Sequence, residues 1–186
     1  MTDRHQFRAK WHNYNGGIYF VTICTHEKRH IFGSILNGEI KYSAIGKIVL
    51  ACLRDIPKHH NNVEVWNHVI MPNHIHMIIA VGAQNFAPAI VSQTNIGCLK
   101  PPRHAESTPD NHFNSRLAVI LRSFKAAGSI ITNRYMRAQN FAPLQIWQRN
   151  YHEHIIRNQH AFDNIAAYID TNVENWEADC FNNNTK

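Results

Sequence analysis

The sequence predicts an α+β fold: a ferredoxin-like sandwich in which one mostly antiparallel sheet carries the helices. Three observations predict it. Short apolar runs bounded by turn residues recur at 18–25, 63–71 and 74–81, the signature of strands. Stretches with apolar residues at helical spacing separate or follow those runs. A helix then divides two pairs of strands, as the split βαβ arrangement requires.

The elements follow in order. Residues 2–15 are polar, basic and aromatic, and read as an arm. After Gly16-Gly17 the run I-Y-F-V-T-I-C-T at 18–25 is rich in β-branched and aromatic residues and predicts a strand. Runs 31–36 and 39–42 flank Asn37-Gly38, the dipeptide favoured by a tight hairpin. Ser43 can cap a helix from Ala44 to about Pro57, with Ile45, Ile48, Val49, Cys52, Leu53 and Ile56 as its apolar stripe. The strands at 63–71 and 74–81 pair across a Pro72-Asn73 turn. Periodicity fails over 82–113, which reads as a long loop insertion. A short duplication, A-Q-N-F-A-P at 83–88 and 138–143, is too brief for a structural repeat. Asn114 or Ser115 can cap a helix over 116–135 with Leu117, Ile120, Leu121, Phe124 and Ala127 as its buried face. Residues 145–149 predict a short strand around Trp147. A last helix is expected over 161–176, and a frayed tail over 177–186.

The chain has 186 residues, which suits one domain. It lacks a secretory leader pattern and any apolar run of membrane-spanning length, so a soluble, cytoplasmic protein with no membrane partner is expected. The cysteines Cys24, Cys52, Cys98 and Cys180 show no C-x-x-C spacing, which argues against a disulfide framework or a zinc knuckle. Lys plus Arg number 19 against 13 for Asp plus Glu, a net charge of +6, and such a surplus suits a polyanion such as nucleic acid. Basic residues interleaved with aromatics in the arm, among them Arg8, Lys10 and Trp11, suit phosphate contact and base stacking. Arg122 and Lys125 on the helix over 116–135 either line a phosphate groove or form a solvated face.

The run V-I-M-P-N-H-I-H-M-I-I-A-V at 69–81 carries the chemistry. Side chains alternate across a strand, so His74 and His76 share one face while Ile75 points into a core. Two imidazoles on one strand make half of a metal site, or else two histidines on a solvated sheet face. Tyr168 and Asn172 are four apart and would share a face of the last helix. Were that face to lie over the histidines, an amide oxygen would complete a site for a divalent cation, Mg²⁺ or Mn²⁺ foremost, with a phenol beside it. Spacing alone does not select Tyr168, since Tyr151 beside His152 is a rival nucleophile.

Three blocks then carry a resemblance: V-I-M-P-N-H-I-H-M-I-I, W-Q-R-N-Y-H-E-H-I-I-R-N and A-Y-I-D-T-N-V-E-N-W, in this order. Together they resemble the single-tyrosine HUH transposases, and within them the REP-associated tyrosine transposases, over about residues 8–177. The resemblance implies a metal-dependent enzyme that cleaves and rejoins single-stranded DNA at hairpin-forming repeats through a 5′-phosphotyrosine link. It implies His74, His76 and Asn172 as metal ligands and Tyr168 as nucleophile, with Glu153 and His154 supporting the site. DNA contacts are expected from Arg8, Lys10, Trp11, Arg122, Lys125 and Arg149. Val173 stands where the family commonly has proline, a departure that touches only the helix end. The resemblance leans towards a monomer. The alternative is a domesticated module that binds DNA or RNA hairpins without cutting; a His-rich structural zinc protein is a third reading.

Overall fold

The computed structural model describes residues 15–82 and 115–182. Its strands are β1 (Gly17–Cys24), β2 (Gly33–Leu36), β3 (Glu39–Tyr42), β4 (Val63–Ile70), β5 (His74–Val81) and β6 (His152–Ile156). Its helices are α1 (Ala44–Arg54), the single turn α2 (Ile56–His59), α3 (Arg116–Ala138) and α4 (Gln159–Asp170), and Trp176–Ala178 forms a 3₁₀ turn. The main sheet has the order β4-β5-β1-β6, with every pairing antiparallel. Read as β1-α1-β4-β5-α3-β6, this is the predicted ferredoxin-like arrangement. The β2–β3 hairpin is inserted ahead of α1. It turns at Asn37 (φ 54°) and Gly38 (φ 74°), the left-handed pair that an Asn-Gly hairpin uses.

The two faces of the sheet bury different partners. Tyr19, Val21 and Ile23 of β1 and Ile75, Met77, Ile79 and Val81 of β5 pack under Val49 and Leu53 of α1 and Leu117, Ile120, Leu121 and Phe124 of α3. On the opposite face, Ile18, Ile78, Ala80 and Ile156 meet Ile169 of α4 and Trp176. β5 is buried along its whole length because both of its faces are covered.

Four expectations are corrected. The strand expected over 145–149 makes only an isolated bridge, Thr25 to Trp147, and the true sheet strand is β6 at His152–Ile156. The apolar pair Ile146 and Trp147 belongs instead to the core beneath α3, where the Trp147 indole N–H donates to the Lys125 carbonyl (2.9 Å). The first helix stops at Arg54 and resumes as α2, with Pro57 in its first turn. α4 ends at Asp170 rather than reaching Trp176. There the Thr171 hydroxyl donates back to the Ala167 carbonyl (2.9 Å), and the chain continues as turns through Asn172. As far as Asn182, the last described residue, the tail expected to fray from 177 is packed down: Asn182 is buried, and the Asn73 amide donates to the Phe181 carbonyl (2.7 Å). The arm with Arg8, Lys10 and Trp11 and nearly all of the insertion at 82–113 lie outside the described residues.

Candidate active site

β5 sets His74 and His76 on the α4 face of the sheet, with their rings 4.5 Å apart and Ile75 turned into the opposite core. They are not solvated: His74 is 0% and His76 2% exposed. β1 runs alongside and places Thr22 opposite His76 and Cys24 opposite His74.

The neighbours decide what each ring can do. The Asn73 amide N–H₂ donates to the carbonyls of Lys28 (3.1 Å) and Phe181 (2.7 Å), so its oxygen is left facing His74 Nδ1 at 2.9 Å. That oxygen can only accept, so Nδ1 carries the proton and Nε2 keeps its lone pair. His76 Nδ1 lies 2.8 Å from the Thr22 hydroxyl, and His76 Nε2 lies 3.2 Å from the Tyr168 hydroxyl. The Thr22 hydroxyl can accept from Nδ1, and the Nε2 lone pair then faces the Tyr168 hydroxyl, open to a hydrogen bond from it or to a cation in its place. Phe20 stacks on His76 at 5.2 Å and meets Tyr168 edge-on at 6.1 Å, holding both rings in place. Tyr168 is 44% exposed, so its hydroxyl can be reached from outside.

Beyond the helix end, Asn172 is buried (3% exposed) and its side-chain oxygen has no hydrogen-bond partner. The same holds for His74 Nε2 and for one oxygen of Asp179. Buried polar atoms without partners are costly, and acceptor atoms in that condition suit a cation. Burial, helped by the neighbouring His76 ring, Lys28 and His30, lowers the His74 pKa to about 2, and burial lowers His76 to about 4. Both rings are therefore neutral at pH 7, the form that ligates metals. Burial raises the Tyr168 pKa, opposed by the Asn172 amide and aided by the negative charge of Asp179. Among the described residues, no three His, Cys, Asp or Glu side chains already stand as a metal-holding group; the converging set includes an amide oxygen. The donor chemistry of two imidazoles and an amide oxygen fits a divalent cation all the same.

The other predicted residues divide sharply. Tyr151 packs against the core under α1 and α3, on the far side of the sheet from the histidines. Glu153 pairs with Val21, whose side chain lies in that same far core, so Glu153 does not support the site. His154 pairs with Phe20 and shares the site face, exposed on the edge strand. The Lys125 ammonium donates to the carbonyls of Gln148 (2.7 Å) and Arg149 (3.1 Å). Arg122 and Arg149 are exposed and do not join the site. Sequence reasoning missed Thr22, Phe20, Asn73 and Asp179. Strand alternation opposite His76 could have found Thr22; nothing in the tail sequence marks Asp179.

No protein-family model matches the chain. A protein of Haemophilus influenzae, described as uncharacterized, is 34% identical over 178 residues, covering 95% of this chain and 91% of that one. The chain belongs to the family of that protein. Among solved structures, a REP-associated tyrosine transposase bound to a REP hairpin shares the fold, with a TM-score of 0.50 and 16% identity over 92% of this chain and 72% of the other. Among the described residues, no helix is long and apolar enough to cross a membrane.

Proposed function

We propose that the protein is a transposase-like enzyme that cleaves and rejoins single-stranded DNA, at hairpin-forming sites, through Tyr168. The observation that carries this reading is the approach of the hydroxyl of half-exposed Tyr168 to His76 Nε2 (3.2 Å), with the His74 ring 4.5 Å from the His76 ring and both His74 Nε2 and the Asn172 oxygen buried without partners. The shared fold with a hairpin-bound REP-associated tyrosine transposase supports it.

His74, His76 and Asn172 would hold a divalent cation, Mg²⁺ or Mn²⁺, which polarises a phosphate and offsets charge built up in the reaction. The chain's own residues do the rest. Thr22 and Asn73 orient the two rings. Phe20 fixes the Tyr168 ring against His76. The Tyr168 oxygen attacks phosphorus and its proton passes to water. The bond from phosphorus to the 3′-oxygen breaks, and that oxygen leaves as a hydroxyl on taking up a proton. The 5′-phosphotyrosine ester keeps the phosphodiester's energy, so a second 3′-hydroxyl can reverse the step and join strands without a nucleotide cofactor.

The test uses hairpin-bearing single-stranded DNA labelled at its 3′ end, with Mn²⁺ or Mg²⁺. The label should travel with the protein under denaturing conditions. Tyr168→Phe should lower adduct formation about 10⁴-fold or more while leaving DNA binding nearly intact. Tyr151→Phe should keep the adduct. An adduct that persists in Tyr168→Phe refutes the assignment. Binding without any adduct in the unaltered protein leaves a hairpin-binding module instead.

A further inference from the structure

We propose that Asp179 supplies a carboxylate oxygen to the cation held by His74, His76 and Asn172, so that the segment after α4 completes the metal shell. The inference rests on the metal reading above and extends it to a residue in no sequence block of the site.

The Asp179 side chain is only 7% exposed, although it sits in the tail near the end of the described chain. Its two oxygens differ in condition. One accepts a hydrogen bond from the Phe181 backbone N–H (2.8 Å). The other is buried without any hydrogen-bond partner and lies 3.8 Å from His74 Nε2, itself buried and unpartnered. At that separation the two atoms are too far apart for a hydrogen bond. Moreover, the proton on His74 is committed to Asn73 through Nδ1, so Nε2 has none to donate. Two lone pairs left facing each other in a buried space repel unless something positive stands between them. Two donor atoms each about 2.1 Å from one cation are held roughly 3–4 Å apart, and this pair falls in that range.

The tail is built to hold the carboxylate there. Trp176 is buried and stacks near His74 (6.1 Å between rings), and Phe181 packs on His74 at 4.5 Å. The Asn182 amide donates to the Trp176 carbonyl (3.2 Å), closing a loop that presents Asp179 inward. Among the described residues His74, His76 and Asp179 do not make a metal-holding group by themselves, so the shell would also need the Asn172 oxygen. A hard anionic oxygen among neutral donors raises affinity for a hard divalent ion.

The experiment is a Mn²⁺ titration of the chelator-stripped full chain, reading free Mn²⁺ by electron paramagnetic resonance. The unaltered protein should bind one ion, and His76→Ala should lose it. Asp179→Asn keeps the acceptor that holds Phe181 and should weaken Mn²⁺ binding by roughly tenfold to a hundredfold. Asp179→Glu, with its charge on a longer arm, should recover part of that loss. Metal-free melting temperatures of the variants, matched to the unaltered protein, show that the loss is one of ligation. If Asp179→Asn and Asp179→Glu both bind Mn²⁺ as the unaltered protein does while His76→Ala does not, the role of Asp179 is refuted and the histidine site stands. If the unaltered protein binds no Mn²⁺, the metal reading and this extension fall together.

Discussion

The imidazoles of His74 and His76 stay neutral because of where β5 puts them, and that has a measurable cost in acid. Burial brings their pKa values to about 2 and about 4, against 6.5 for an unfolded histidine. Below 6.5 the unfolded chain takes up protons that the folded protein refuses, so the unfolded state gains. Their neutral burial is therefore fully tolerated above about pH 6.5, and stability falls as pH drops from there towards 4. Each ring contributes at most about 1.4 kcal/mol per pH unit in that window. Urea midpoints of chelator-treated protein should decline steadily between these limits, and His76→Gln should make the decline shallower across the whole window. A midpoint constant from pH 7 to pH 4.5 would contradict the burial of both rings. Asn73 matters at the same scale: by accepting from Nδ1 it fixes which His74 nitrogen holds the proton, and so which lone pair is offered to the site.

At the scale of elements, the first turn of α1 rests directly on the chain before β2. The Phe32 carbonyl accepts from the Ser43 N–H (2.9 Å), and a Cβ added at Gly46 would lie 2.0 Å from that same oxygen. Helix propensity alone makes Gly46→Ala stabilising by about 1 kcal/mol. The contact reverses the sign: the helix start must move off the hairpin, and a loss of about 1–3 kcal/mol or more is expected in chemical denaturation. A stabilised Gly46→Ala would mean the two elements are not in contact.

The same scale explains what the sequence revealed. The two-residue alternation of His74 and His76 and the Asn37-Gly38 turn were legible because each depends on local backbone geometry. The position of β6 is hidden for a physical reason: Ile146 and Trp147 look like a strand but serve the core under α3, whereas H-E-H-I-I looks polar because His152 and His154 stay exposed at the sheet's edge. Asn172, expected on a helical face, sits instead in the turn after Thr171, where the chain keeps a helix-like curl and the Asn172 amide lies against Tyr168. Asp179 was illegible, since only tertiary packing of Trp176 and Phe181 carries it to His74.

At the scale of the molecule, the net charge of +6 supplies the long-range attraction expected of a DNA-binding protein, but charge and contact are different things. Lys125 illustrates the difference. Its ammonium is half-buried, burial lowers its pKa, and it ties the carbonyls of Gln148 and Arg149 to α3 across the segment that leads into β6. Removing a phosphate contact should shrink the salt dependence of DNA binding by about one unit of log–log slope. Removing a strut should leave that slope alone and lower stability instead. Lys125→Met keeps the apolar stem and abandons two carbonyls, so it should destabilise the fold by about 1–3 kcal/mol. Hairpin DNA affinity measured between 50 and 200 mM salt should fall at least about tenfold for the unaltered protein and with the same slope for Lys125→Met. A slope reduced by one with unchanged stability would place Lys125 on the surface proposed to meet DNA, and would mean that the ammonium leaves those carbonyls when DNA arrives.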